Sequence, residues 1–433
     1  MRIIINKYNA RKNFLVMLFL YFIFPFYIHP VGGIMRLLLY ALCVSWLLIF
    51  VKQLYFQYRT LKHRFYIQFS ILFIILLLLW STIVPIVYDT WDWSYASFWV
   101  TICISIFRYL SIYIITCQML KEKISYNQYM LLFIRAVSIY VITTLVFIII
   151  PPLREFWSAI IVQSDHNERL TSAIEYVSRY GLQGFSGFMH TCMCNIGVAF
   201  SLFLIDGRIK HRQSIVDLLI YVMIMMVGSM CYGRVGLLGG ILLISGYVCY
   251  RVLIRAHIKL LLAIIGSLII LSYGIYYIVQ MSPEAEYWFN WAFEPFVNYF
   301  DGNDFSTSSS NHLKTMYFMP SFKTILFGDG LYMDPITKTY YMQTDVGLIR
   351  PVLFWGIIPT TLAYIIGVVT ILGICPRSKS NNITSCCDNL CLLRIMLFCL
   401  MFFYELKGEA FHYIIMVIFP LLFIHNNTNR ESI

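Results

Sequence analysis

The chain has 433 residues, of which 60% are hydrophobic, 17% aromatic and 12% charged. Soluble domains carry roughly 25% charged residues, so this chain has too little polar coating for a water-soluble fold of its size. Its formal net charge of +11 sits in short Lys/Arg clusters between apolar runs, the pattern of loops facing anionic headgroups rather than of a nucleic-acid interface.

A bilayer core needs about 20 apolar residues in a helix. Along the chain, spans are predicted at 14–31, 34–51, 65–88, 95–119, 129–150, 187–206, 214–232, 235–250, 260–281, 346–373, 391–405 and 410–425. The first follows Arg2, Lys7, Arg11 and Lys12. No small-x-small cleavage site comes after it, so it reads as an uncleaved helix rather than a signal peptide.

Orientation follows from basic residues in short loops. With the N-terminus inside, alternate loops hold Lys52, Arg59, Lys62 and Arg64; Lys121 and Lys123; Arg208, Lys210 and Arg212; Arg251, Arg255 and Lys259; and Arg377 and Lys379. The opposing short connections hold Asp89 and Asp92, then Arg234, then Lys407 between Glu405 and Glu409. The expectation is an all-α polytopic membrane protein, a single membrane domain over 1–433 with about twelve transmembrane helices and both termini cytoplasmic.

Two longer segments fall outside. Segment 151–186 opens with Pro151-Pro152 and places Phe156, Trp157, Ile160 and Ile161 at helical spacing, which predicts a short interfacial helix. Segment 282–345, between helices nine and ten, begins with an aromatic helical stretch including Tyr287, Trp288, Trp291 and Tyr299. A polar turn over Asp301–Ser310 follows, then a short helix that Pro320 should end, and a turn at Gly328 and Gly330. None of the 12 cysteines falls in either segment, which argues against a disulfide-stapled ectodomain. No metal and no cofactor is expected, because zinc spacings and phosphate-loop motifs are absent.

The outer helix ends hold more ionisable groups than an anchor needs. Arg179 precedes GLQGFSGF (181–188), Arg234 sits in GRVGLLGG (233–240), and Arg350 lies just inside the tenth span. A charge within hydrocarbon costs roughly 2.5–3.5 kcal/mol or more, so it usually faces a polar cavity. The planar fork of arginine grips phosphate oxygens through two parallel hydrogen bonds. Three such groups at one leaflet suit a diphosphate headgroup, with Lys407 as a fourth cation. Plainer readings stay open: Arg179 as a solvated loop residue, Arg234 as a cap on the preceding helix, and Arg350 snorkelling to headgroups. Among the acids, Asp345 is placed best for a general base, close in sequence to Arg350, and Glu405 and Glu409 rank next. His190 and His312 are weaker candidates.

At RYGLQGFSGF (179–188), GRVGLLGG (233–240), ILFGDGLY (325–332), YYMQTDVGLIRPVLFWGIIP (340–359) and ELKGE (405–409) the chain resembles the O-antigen polymerase (Wzy) family and, more broadly, O-antigen ligases. The order of these short motifs carries the resemblance; the first half of the chain matches only in hydropathy. The resemblance implies polymerisation of undecaprenyl-diphosphate-linked oligosaccharide repeats into O-antigen or capsular polysaccharide at the periplasmic face of a bacterial inner membrane. It also implies partners: the lipid-linked repeat, membrane lipids, a chain-length regulator and a flippase. Family arginines thought to hold diphosphates would correspond to Arg179, Arg234 and Arg350. Two other functions remain open, a ligase passing the glycan to lipid A core and a flippase or exporter of lipid-linked sugars. Transporters tend to place their charges near mid-membrane, whereas the candidates here cluster at outer helix ends.

Overall fold

In lipid, a chain satisfies its own backbone as helix or closed barrel, and the long apolar runs of this sequence form helices. The computed structural model describes residues 2–61, 64–121, 124–163, 178–207, 212–255, scattered positions between 262 and 280, 283–302, 306–374 and 383–424. The span expected at 260–281 lies largely outside the described residues, as do Lys62, Lys123, Arg208, Lys210, Lys259, Arg377 and Lys379.

Seven helices come first: α1 (Arg2–Ile23), α2 (Gly32–Ile49), α3 (Val51–Thr60), α4 (Arg64–Val87), α5 (Ser94–Leu120), α6 (Tyr126–Ile149) and the short α7 (Pro151–Ile160). A two-residue hairpin, Tyr180–Gly181 against Gly184–Phe185, leads into α8 (Phe188–Gly207), α9 (Arg212–Tyr232) and α10 (Arg234–Arg255). Short helices α11 (Pro283–Ala292), α12 (Glu294–Phe300), α13 (Ser308–Met316) and α14 (Phe322–Phe327) follow. The chain closes with α15 (Arg350–Trp355), α16 (Ile357–Gly373), α17 (Ile383–Glu405) and α18 (Phe411–Ile418). Among the described residues six helices are long and apolar enough to cross a membrane: α2, α4, α5, α6, α8 and α9.

The centre of the bundle is α8. Every residue from His190 to Leu202 is buried, and the helix packs against α6, α9, α10, α17 and α18. By contrast α2 exposes Leu37, Leu38, Leu48 and Ile49, an apolar face suited to lipid. A buried polar knot ties α8 to three of its neighbours. Asn195 of α8 donates to the Gly236 carbonyl (2.8 Å) and to the Tyr404 hydroxyl (2.7 Å), and accepts from Ser229 (2.9 Å).

Several boundaries differ from expectation for identifiable reasons. The first span, expected over 14–31, leaves helical geometry after Ile23, just ahead of Pro25, and Val162 N–H then donates to the Tyr27 carbonyl (2.8 Å). The final span, expected over 410–425, is helical only to Ile418, and Pro420 sits in a 3-10 turn over Phe419–Phe423. Helix α13 ends at Met316, ahead of Pro320. The helix expected at 391–405 is longer, starting at Ile383.

The largest departure is at 346–373, where one predicted span is two helices broken at Gly356, φ +85°. The carbonyls released by the break are used: Asp329 N–H donates to Leu353 (2.6 Å) and Gly330 N–H to Phe354 (3.0 Å). A Cβ on Gly356 would lie 2.9 Å from Phe327 N and closer still to Leu326. Backbone at φ +85° and ψ 179° is essentially confined to glycine and costs an L-residue about 1–3 kcal/mol before any such clash. Gly356→Ala is therefore expected to destabilise the folded protein by at least that much, read as a lower melting temperature in detergent. An unchanged melting temperature would mean the break is not required.

Candidate functional site

A cavity of about 1070 Å³ opens among α5, α8, α10, α11, the 332–350 segment and the turn after α17. Its lining includes Arg179, Arg234, Arg350, Lys407, Asp345 and Glu409. The structure thus brings six of the nine sequence-derived candidates to one space. They come from segments separated by up to 230 residues (409 − 179).

Arg179 is held by the hairpin. Its carbonyl accepts from Ser186 N–H (2.6 Å), and Ser186 Oγ lies 2.6 Å from the Tyr140 hydroxyl of α6. Trp157 of α7 donates to the Leu182 carbonyl (3.1 Å), which docks α7 on the hairpin tip. Arg179 is half-buried, with its guanidinium carbon 5.0 Å from the Trp291 ring centre. It is not a solvated loop residue.

Arg234 opens α10 directly after Gly233, so it stands at a helix N-terminus. Rather than turning back to cap α9, its Nε donates to the Trp291 carbonyl (2.8 Å) and its Nη2 pairs with Glu294. Its guanidinium carbon lies 4.5 Å from the same Trp291 ring. Two guanidiniums on one indole are held by cation–π attraction, worth about 0.5–2 kcal/mol each depending on desolvation.

Arg350 does not snorkel. It is 8% exposed and lies against two rings, 4.1 Å from the centre of Tyr332 and 3.7 Å from that of Tyr340. Its buried Nε has no hydrogen-bond partner among the described residues. A charge so placed costs several kcal/mol unless an anion meets it. Glu409 is its electrostatic neighbour, and accepts from the Tyr332 hydroxyl (3.0 Å) on Oε2 while Oε1 has no partner among the described residues. Burial pushes the Glu409 carboxyl up, against the opposing pull of the Arg350 charge and the Tyr332 hydroxyl.

Asp345 lies in the bend before α15, where the Val346 carbonyl accepts both Ile349 N–H (3.0 Å) and Arg350 N–H (3.1 Å). Its Oδ1 is buried without a hydrogen-bond partner among the described residues. A half-buried Lys407 completes the cationic lining.

Glu405 has a different place from the one expected. It is fully buried and outside the cavity lining. Its Oε1 accepts from Ala410 N–H (2.6 Å) and Phe411 N–H (2.8 Å), and Oε2 lies 2.9 Å from the Tyr364 hydroxyl. A carboxylate on the orphan amides at the start of α18 is a helix cap. Glu405 therefore shapes the turn that carries Lys407 and Glu409. His190 and His312 do not line the cavity; His190 is stacked on Phe24 and Tyr140, with Nε2 2.9 Å from Gln183 Oε1.

The sequence reading missed the roles of Trp291, Glu294, Tyr332 and Tyr340. Aromatic residues are so frequent here that composition hides the few that support guanidiniums. The one local signal is the spacing of Tyr332 and Tyr340 around the Asp334–Thr339 turn, whose ends pair as Met333 with Tyr340.

Fold and cavity together define a class: a helical protein with apolar helices long enough to cross a membrane and a cation-lined, carboxylate-bearing cavity. No family model, curated protein or solved structure matches the chain.

Proposed function

We propose that this chain is a membrane glycosyltransferase that polymerises polyprenyl-diphosphate-linked oligosaccharides. The observation that carries this reading is the convergence of three guanidiniums, Lys407 and Asp345 on one cavity. In our reading the donor diphosphate rests on the cations. An acceptor hydroxyl of an incoming lipid-linked unit attacks the anomeric carbon, its proton passes to Asp345, and the sugar–diphosphate bond breaks. Polyprenyl diphosphate leaves with the bonding electron pair, its charge held by the guanidiniums. The proposal includes twelve spans with the cavity at the periplasmic face of a bacterial inner membrane.

The test is purified protein in nanodiscs with a defined undecaprenyl-diphosphate-linked repeat as sole substrate. A ladder of oligomers on the lipid is expected. No ladder from correctly inserted protein overturns the reading, and transfer only to added lipid A core assigns a ligase instead.

A pH dependence follows from Glu409. A second anion beside its carboxyl raises its proton affinity further, so diphosphate binding is coupled to proton uptake there. Affinity is expected to strengthen as pH falls through the raised Glu409 range, because the neutral acid no longer repels the ligand. Lipid diphosphate sugars are diesters, so their own charge stays constant near neutral pH. Titration calorimetry in buffers of different ionisation heat reads the uptake directly. In Glu409→Gln it should vanish.

A further inference from the structure

We infer that Asp92 is a positioning residue that sets the anion-binding surface around Arg350, acting through the backbone of Tyr332 and Met333. This rests on the reading of the cavity as a diphosphate site. Asp92 lies in the connection between α4 and α5, in the half of the chain remote from every motif of the site.

The geometry is specific. Asp92 Oδ2 accepts from Tyr332 N–H (2.6 Å) and Met333 N–H (2.8 Å), while Oδ1 accepts from Ser94 N–H (3.0 Å) at the start of α5. The same connection grips the neighbouring chain twice more: Thr90 donates to the Gly330 carbonyl (2.7 Å) and Tyr88 to the Phe327 carbonyl (3.0 Å). Asp89 and Trp91 hold positive φ, +55° and +53°. Such backbone in a bulky residue persists only where surrounding contacts over-determine it. Burial raises the Asp92 carboxyl, but hydrogen bonds from Ser94, Met333 and Tyr332 outweigh it and hold the group below the usual range, so it stays a carboxylate.

What it fixes is Tyr332. One ring carries three relations at once: 4.1 Å from the Arg350 guanidinium carbon, stacked on Tyr95 (4.4 Å), and donating to Glu409 (3.0 Å). A ring with that many fixed neighbours sets the aim of the guanidinium it lies against. Asp92 does not line the cavity, so it acts through the residues it holds: chiefly the Tyr332 and Met333 amides, and Ser94 at the cavity's edge.

The test measures farnesyl diphosphate binding by the full-length protein in nanodiscs for wild type, Asp92→Ala and Asp92→Asn. Asp92→Ala removes every acceptor and is expected to weaken binding at least tenfold. Asn keeps one carbonyl oxygen for the Tyr332 and Met333 amides and is expected to recover most of the loss. Hydrogen exchange should show faster exchange at 332–333 in the Ala variant only, with the α8 core unchanged. Binding by wild type that is unaltered in Asp92→Ala overturns this inference alone. Absence of binding by wild type overturns the functional reading and this inference with it. Equal losses in both variants, with lowered melting temperatures, assign Asp92 a general structural role and also overturn it.

Discussion

Arg350→Ala is expected to abolish polymer while leaving the protein inserted at normal levels. The side chain is the cavity's most buried cation, and its Nε has no hydrogen-bond partner among the described residues. Losing one partner of a buried charge pair costs about 2–5 kcal/mol, or about 30-fold to several thousand-fold in affinity at 1.4 kcal/mol per decade. Arg350→Lys keeps the charge but not the fork or the planar contact with Tyr332 and Tyr340, so it should recover only a minor part. Arg234→Ala is expected to fall in the same direction, because it also strands Glu294 beside the ligand. The measurement is lipid diphosphate affinity and ladder length in the same nanodisc preparation, with protein quantified by immunoblot. Normal ladders from both alanine variants would remove the diphosphate site.

Asp345→Asn should separate turnover from binding. General-base contributions are typically about 10²–10⁴-fold, and amide for carboxylate changes volume little, so the cavity keeps its shape. Turnover at saturating donor is expected to drop by that factor with donor affinity within about threefold of wild type. Glu405→Ala serves as the contrast. Its carboxylate caps α18 outside the cavity, so its loss should lower thermal stability rather than the chemical step alone. Should Asp345→Asn turn over at the wild-type rate, the proton must go elsewhere, and Glu409 is the remaining cavity carboxylate among the sequence candidates.

Legibility in the sequence followed the range of the physics involved. The helices from Arg64 to Ile149 were readable because each is one long, predominantly apolar run that outweighs single charges such as Arg108 and Arg135, and hydrophobic length is a local property. Helix Pro151–Ile160 was readable from Pro at its start and aromatic residues at helical spacing, which are also local features. The break at Gly356 was not. Nothing in FWGIIP distinguishes a helix that continues from one whose last carbonyls are taken by Asp329 and Gly330.

The candidate site divides along the same line. Sequence alone determined that the chain is built of apolar helices and that a few arginines stand at their ends, because burying a charge in hydrocarbon is costly wherever it occurs. Tertiary structure alone decided which of those charges share a cavity. It placed Arg179 and Arg234 on Trp291, seated Arg350 on Tyr332 and Tyr340, and turned Glu405 from a candidate base into a helix cap. Whether a carboxylate serves chemistry or capping depends on which amides lie within hydrogen-bond reach, a distance that folding sets.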